Sequence, residues 1–130
     1  MIGPADLHRR MSALPGAALD HPFGPEVQVY KVAGKVFGWF VEGGGQGLRV
    51  TLKCDPVLAE ALRAGHPAIR PGYHTDKRHW NTLQLSEGGL EDGLVWSLVE
   101  GSYELVRAKL PKKVQATLAP FSGSSGRSRR

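Results

Sequence analysis

The sequence predicts an α+β domain: an antiparallel sheet with helices packed on one face. Three observations lead there. Strand-like segments at 27–32, 35–42 and 48–54 follow one another through short turns, which suits hairpins and leaves no room for helical crossovers. The third segment alternates strictly: Leu48, Val50 and Leu52 point one way, Arg49, Thr51 and Lys53 the other. A long apolar stripe at helical spacing over 90–110 can then cover the apolar side of the sheet.

In chain order, Asp6 to Leu14 reads as a first helix, with Leu7, Met11 and Leu14 on one face and Pro15-Gly16 stopping it. Residues 17–26, with Pro22, Gly24 and Pro25, read as a loop. Val27 to Val32 and Lys35 to Glu42 are strands around an Ala33-Gly34 hairpin turn. The glycine run at 43–47 leads into a third strand, Leu48 to Cys54. A phosphate-cradling loop needs a following Lys-Ser/Thr and a helix, so this run is a turn. Asp55 is an N-cap and Pro56 a first-turn residue for a second helix, with Val57, Leu58, Ala61 and Leu62 on its inner side. Residues 68–76 are turn-rich with room for one short strand. His79 to Leu85 is a strand with Leu83 and Leu85 toward the core and Trp80, Thr82 and Gln84 opposite. The last helix, Leu90 to Leu110, stacks Leu94, Leu98 and Leu105 beside Val95, Val99 and Val106. Gly101-Ser102 make a notch in that stripe where a sheet can approach closely.

The 130 residues, 41% of them hydrophobic, suit one packed domain. It is assigned to 1–113, with 114–130 as a basic, flexible C-terminal tail. No apolar run is long enough to span a bilayer. The one cysteine, Cys54, rules out an internal disulfide and fits a reducing compartment, so a cytoplasmic monomer is the expectation. The net charge of +5 invites a polyanion partner, but its distribution tempers that. Residues 1–110 hold twelve Lys or Arg and twelve Asp or Glu; the excess lies in Lys112, Lys113, Arg127, Arg129 and Arg130. Such a tail attracts polyanions without selectivity, and its Ser/Gly-rich end also reads as a solubility segment.

Several segments together make the chain resemble the MmcQ/YjbR family. They are Tyr30-Lys31-Val32-Ala33-Gly34-Lys35-Val36-Phe37, Leu52-Lys53-Cys54-Asp55-Pro56, Pro71-Gly72-Tyr73-His74, Lys77-Arg78-His79-Trp80-Asn81-Thr82 and Ser102-Tyr103-Glu104-Leu105-Val106. Their order and spacing cover roughly residues 5–113. The resemblance implies a CyaY-like (frataxin-like, double-wing) α+β fold and DNA binding, and supplies no catalytic residues. The iron role known for frataxin-like folds needs clustered carboxylates. Here the first helix offers Asp6 among His8, Arg9 and Arg10, which repel a hard cation.

The candidate functional constellation is Trp80 with Lys31, Arg49, Lys53, Lys77 and Arg78. A sheet face with an aromatic platform among cations holds unpaired bases and phosphates. The competing reading has Trp80 packed beneath the loop at 71–76, Lys77-Arg78 capping a strand, and Lys31 and Lys35 guarding a sheet edge. No helix suits a major groove, so base-specific duplex readout is not expected. His74, Asp76 and His79 lack a fourth ligand, and Cys54 reads as a small buried filler, although the following helix N-terminus can lower a thiol pKa. No metal, cofactor or catalytic residue is expected. The expectation is a non-enzymatic nucleic-acid-binding protein; the alternative is an adaptor for a protein or small ligand using the same face or the groove beside Tyr73 to Trp80.

Overall fold

The computed structural model describes residues 2–43, 45–72 and 75–121. Six strands form one antiparallel sheet: β1 (Ala17–Asp20), β2 (Val27–Val32), β3 (Lys35–Val41), β4 (Arg49–Lys53), β5 (Ile69–Pro71) and β6 (Trp80–Gln84). Their order is β1-β2-β3-β4-β6-β5. Three helices accompany it, α1 (Pro4–Ser12), α2 (Pro56–Gly65) and α3 (Asp92–Ala108), followed by the single turn α4 (Lys112–Gln115). The class is α+β, as the short connections require.

The β2–β3 hairpin turns at Ala33 (φ 50°) and Gly34 (φ 81°), the two left-handed positions of a type I′ turn. Farther along, the register slips. Tyr30 pairs with Gly38 but Lys31 with Val36, so Phe37 is the extra residue of a β-bulge. The bulge lets Phe37 and Phe40 both face the helices despite their odd spacing; they are 0% and 2% exposed.

The core lies between this sheet face and the helices. Leu7 and Met11 of α1 and Leu14 just past its end join Tyr30, Val32, Val50, Leu52 and Leu83 of the sheet and Val95, Val99 and Tyr103 of α3 in one cluster. Each large side chain buried there contributes about 1.5–3 kcal/mol of transfer free energy. The predicted notch in α3 is a polar clasp. Ser102 is fully buried, donates to the Phe37 carbonyl and accepts from the Lys53 amide at 2.8 Å. Ser102 thus bridges β3 and β4 one position beyond their last pair, Gly38–Leu52, and satisfies both backbone groups. Tyr103 beside it donates its hydroxyl to the Pro15 carbonyl at 2.5 Å and receives Arg107 at 3.0 Å, tying α3 to the end of α1.

Three expectations are corrected. Residues 17–20 are not loop but an edge strand, paired with 29–32 of β2. Its Ala-Ala-Leu-Asp sequence has no strand propensity, so the pairing comes from the free edge of β2. In α2, Asp55 caps as expected, accepting from the Val57 and Leu58 amides at 3.1 and 3.2 Å. The helix then lies rotated: Ala59 and Leu62 are buried, Ala61 is exposed, and Val57 and Leu58 are 78% and 47% exposed. Asn81 sets that rotation by donating to the Ala59 carbonyl and accepting from Arg63. Finally, the packed unit does not end at 113. Leu118 and Phe121 pack on the core, Phe121 edge-on to Tyr103 at 4.9 Å. Residues 122–130, the rest of the proposed tail, lie outside the described residues.

Candidate nucleic-acid interface

The helices gather on one side of the sheet, and the register defines what the other side carries. One row across the strands is Val27, Val41, Arg49, Gln84. The next is Asp20, Val29, Trp39, Thr51, Thr82, Arg70. Lys53 and Trp80 form a third. Arg49, Lys53 and Trp80 therefore share one face, as alternation predicts, and Lys31 joins them through its pairing with Val36.

At the centre is an aromatic pair. Trp39 and Trp80 stand on strands that flank β4, with centroids 5.3 Å apart and planes at 38°. They meet above the small Thr51, which is 4% exposed and hydrogen-bonds Thr82 at 2.8 Å. Both tryptophans stay partly exposed. Trp80 itself is half-buried. Gly72 lies against its root: a Cβ at Gly72 would lie 2.9 Å from the Trp80 Cβ and 3.3 Å from its backbone carbon. Glycine is required there because the backbones approach so closely. The turn is held by Arg63, which donates to the Lys77 carbonyl at 3.0 Å, and by Lys77 Nζ on the Gly72 carbonyl at 3.2 Å.

The cations fall into two sets. Lys31 is paired with Asp20 at 2.9 Å and Arg78 with Asp76 at 3.7 Å. Arg70, unforeseen on this face, is paired with Glu87 at 2.6 Å. Hydrogen bonds from Lys31 and from the Arg78 backbone amide hold the carboxyls of Asp20 and Asp76 below the ordinary carboxylate range. Arg49, Lys53 and Lys77 have no carboxylate partner among the described residues. Lys53 Nζ lies 6.0 Å from the Trp80 ring centroid, at the outer edge of cation–π range. Arg49 Nη1 donates to the Gly43 and Gly47 carbonyls at 3.3 and 3.0 Å, fastening the glycine turn over Gln84. Gln84 in turn donates to the Gln46 carbonyl and to Ser86, which explains its burial on a face without helices.

Beside the aromatic pair is a hollow of about 620 Å³ lined by Phe23, Val27, Val36, Trp39, Val41, Gln46, Arg49, Thr51 and Thr82. Trp39 and Phe23 were missed by sequence reasoning. The bulge at Phe37 interrupts the period of two, so a reading forward from Lys35 puts Trp39 on the wrong face, and Phe23 sits in a loop with no period. A strand read backwards from Val41 would have found Trp39.

The other candidates resolve differently. Cys54 is 7% exposed and burial pushes its thiol up to about 11, the reverse of an activated nucleophile. His79 Nε2 lies 3.8 Å from Asp76, and His74 and Tyr73 lie outside the described residues. On α1, Asp6 is taken by Arg9 at 2.6 Å, His8 bonds the Tyr30 hydroxyl at 2.7 Å, and Arg10 lies over Trp96 at 4.6 Å.

Comparison with known proteins now decides the lineage. The YjbR family model matches residues 12–105. The chain belongs to the YjbR family. An uncharacterised relative, YbdF of Escherichia coli O157:H7, is 36% identical over 107 residues, covering 82% of this chain and 86% of YbdF. YjbR of Escherichia coli K12, also uncharacterised, is 41% identical over 69 residues, 53% of this chain and 58% of that one. A Deinococcus radiodurans crystal structure with a DUF419 domain superposes with a TM-score of 0.80 at 34% identity, covering 87% of this chain and 85% of that one. A Pseudomonas syringae protein at 24% identity (TM-score 0.66, covering 80% of this chain and 98% of that one) shares the fold.

Proposed function

We propose that this YjbR-family protein is a non-enzymatic nucleic-acid-binding module that holds unpaired nucleotides on its helix-free sheet face. The observation that carries the reading is the Trp39–Trp80 pair, 5.3 Å apart and partly exposed, with the Lys53 ammonium beside it. A base stacks on an exposed indole without regard to its identity, so binding is sequence-tolerant. Arg49, Lys53 and Lys77 serve the phosphates, because their charge is not already neutralised by a carboxylate. Lys31 and Arg78 contribute less, each sharing its charge with an aspartate. The field is weak, so affinity is modest and salt-sensitive. The reading goes with a CyaY-like, double-wing version of the α+β fold and with a cytoplasmic location suited to one unpaired cysteine. Fluorescence anisotropy of labelled single-stranded and duplex oligonucleotides at two salt concentrations tests it; a flat titration with both at low salt removes it.

A second reading, a module for a small ligand, is favoured by the apolar lining of the hollow. Three valines, Phe23 and Trp39 offer little to a phosphate chain.

A further inference from the structure

From the hollow we infer a binding site for a small planar aromatic carboxylate, with the ring system among the apolar walls and the carboxylate at Arg49. The inference rests on the second reading above and draws on Arg49 and Trp39, which the nucleic-acid reading also uses. The volume, about 620 Å³, is within the range of small-ligand sites and too small for a folded partner. Its walls are of two kinds. Val27 and Val41 pair across β2 and β3, Val36 lies on the far side of the Trp39 row, and Trp39 and Phe23 add aromatic rings. That combination prefers a flat, rigid, apolar body. Phe23 is 72% exposed, an unfavourable setting for a phenyl ring unless something apolar covers it.

The polar side is equally selective. Arg49 is the one charged residue in the lining. Its Nη1 is pinned by the Gly43 and Gly47 carbonyls, which fixes the plane of the guanidinium. Nε and Nη2 have no partner among the described residues. A preorganised guanidinium with two donors to spare is suited to a carboxylate. The Thr51 and Thr82 hydroxyls are bonded to one another, leaving the floor with little demand for further polar groups. Charge complementarity thus selects an anion, and the walls select an aromatic one.

The test uses 2-naphthoate as probe and 2-naphthalenemethanol as its neutral isostere, both titrated into the full chain by two-dimensional amide NMR. The expected result is saturable binding of the carboxylate, with shifts centred on Val36, Trp39, Val41 and Arg49, and at least about tenfold weaker binding of the alcohol, as loss of a charge-assisted pair implies. Phe23→Ala, a loop substitution that leaves the core untouched, should weaken both probes about fivefold or more by removing an aromatic wall. Arg49→Gln should weaken only the carboxylate. If the alcohol binds as well as the carboxylate, the anion assignment is wrong while a small-ligand site survives. If neither binds below about 5 mM, or the shifts map to the α2 face, both the inference and the small-ligand reading fail.

Discussion

Replacing Trp80 by alanine separates a stacking platform from a packing residue. Trp80 is held at its root by Gly72 and the β4–β6 ladder, and its ring contacts Trp39 rather than the helix-side core. The substitution should therefore leave the fold standing and remove one base platform. Stacking of a base on an aromatic ring is worth about 1–3 kcal/mol, so affinity for a single-stranded oligonucleotide should fall about 5- to 150-fold. The charge side can be worked separately. Arg49 and Lys53 on this face and Lys77 in the turn before β6 lack a carboxylate partner among the described residues, so the single-strand slope of log K on log salt should be about −2. Raising salt from about 50 to 200 mM then weakens binding roughly 20-fold. Trp80→Ala should lower affinity at both salts without changing that slope; Lys53→Ala should reduce the slope by about 0.7. Anisotropy of a fluorescein-labelled oligothymidylate reads all of this, with circular dichroism confirming the fold. Trp80→Ala binding within twofold of the native chain at both salts would refute the platform. So would loss of all binding on deletion of residues 122–130 alone, which would assign the activity to the tail.

Other outcomes follow from the interior. Ser102→Ala strips the Phe37 carbonyl and the Lys53 amide of a buried partner, and should lower the unfolding free energy by about 2–4 kcal/mol with an unchanged denaturant slope. Cys54 titrates at about 11 folded against 9.0 unfolded. The native state keeps its proton while the unfolded chain loses its own, so this stability is whole below pH 9 and is lost as pH rises toward 11. Urea melts should show the native chain losing about 2–3 kcal/mol more than Cys54→Ala over that interval. At physiological pH the folded thiol should also resist iodoacetamide until the chain is unfolded. Ala33→Asn places a residue tolerant of left-handed backbone at φ 50° and should raise the thermal midpoint, by up to about 1 kcal/mol of stability.

Much of this architecture was legible in the order of the residues, for local reasons. Alternation in 48–53 set which side chains share a face, because a strand's period is two whatever surrounds it. Asp55-Pro56 announced a helix start, because the cap bonds are made within four residues. The hairpin at Ala33-Gly34 was readable for the same reason. The face of α2 was not. Its apolar residues encircle much of the helix, and the buried side depends on Asn81 and Arg63, which reach it from β6 and from within the helix. β1 was invisible too, since its strand character is borrowed from β2.

By itself, then, the chain determined the α+β class, the cationic side of the sheet, the place of Trp80 on it, and the family. Each depends on nearest-neighbour spacing or on segments read in series. Only the tertiary structure decided that Trp80 has a partner in Trp39, that Lys31 and Arg78 lie beside aspartates while Arg49 is clamped by two carbonyls, and that a hollow opens beside Phe23. Those facts arise from a bulge that resets the register and from side chains brought together across strands, distances that no local pattern encodes.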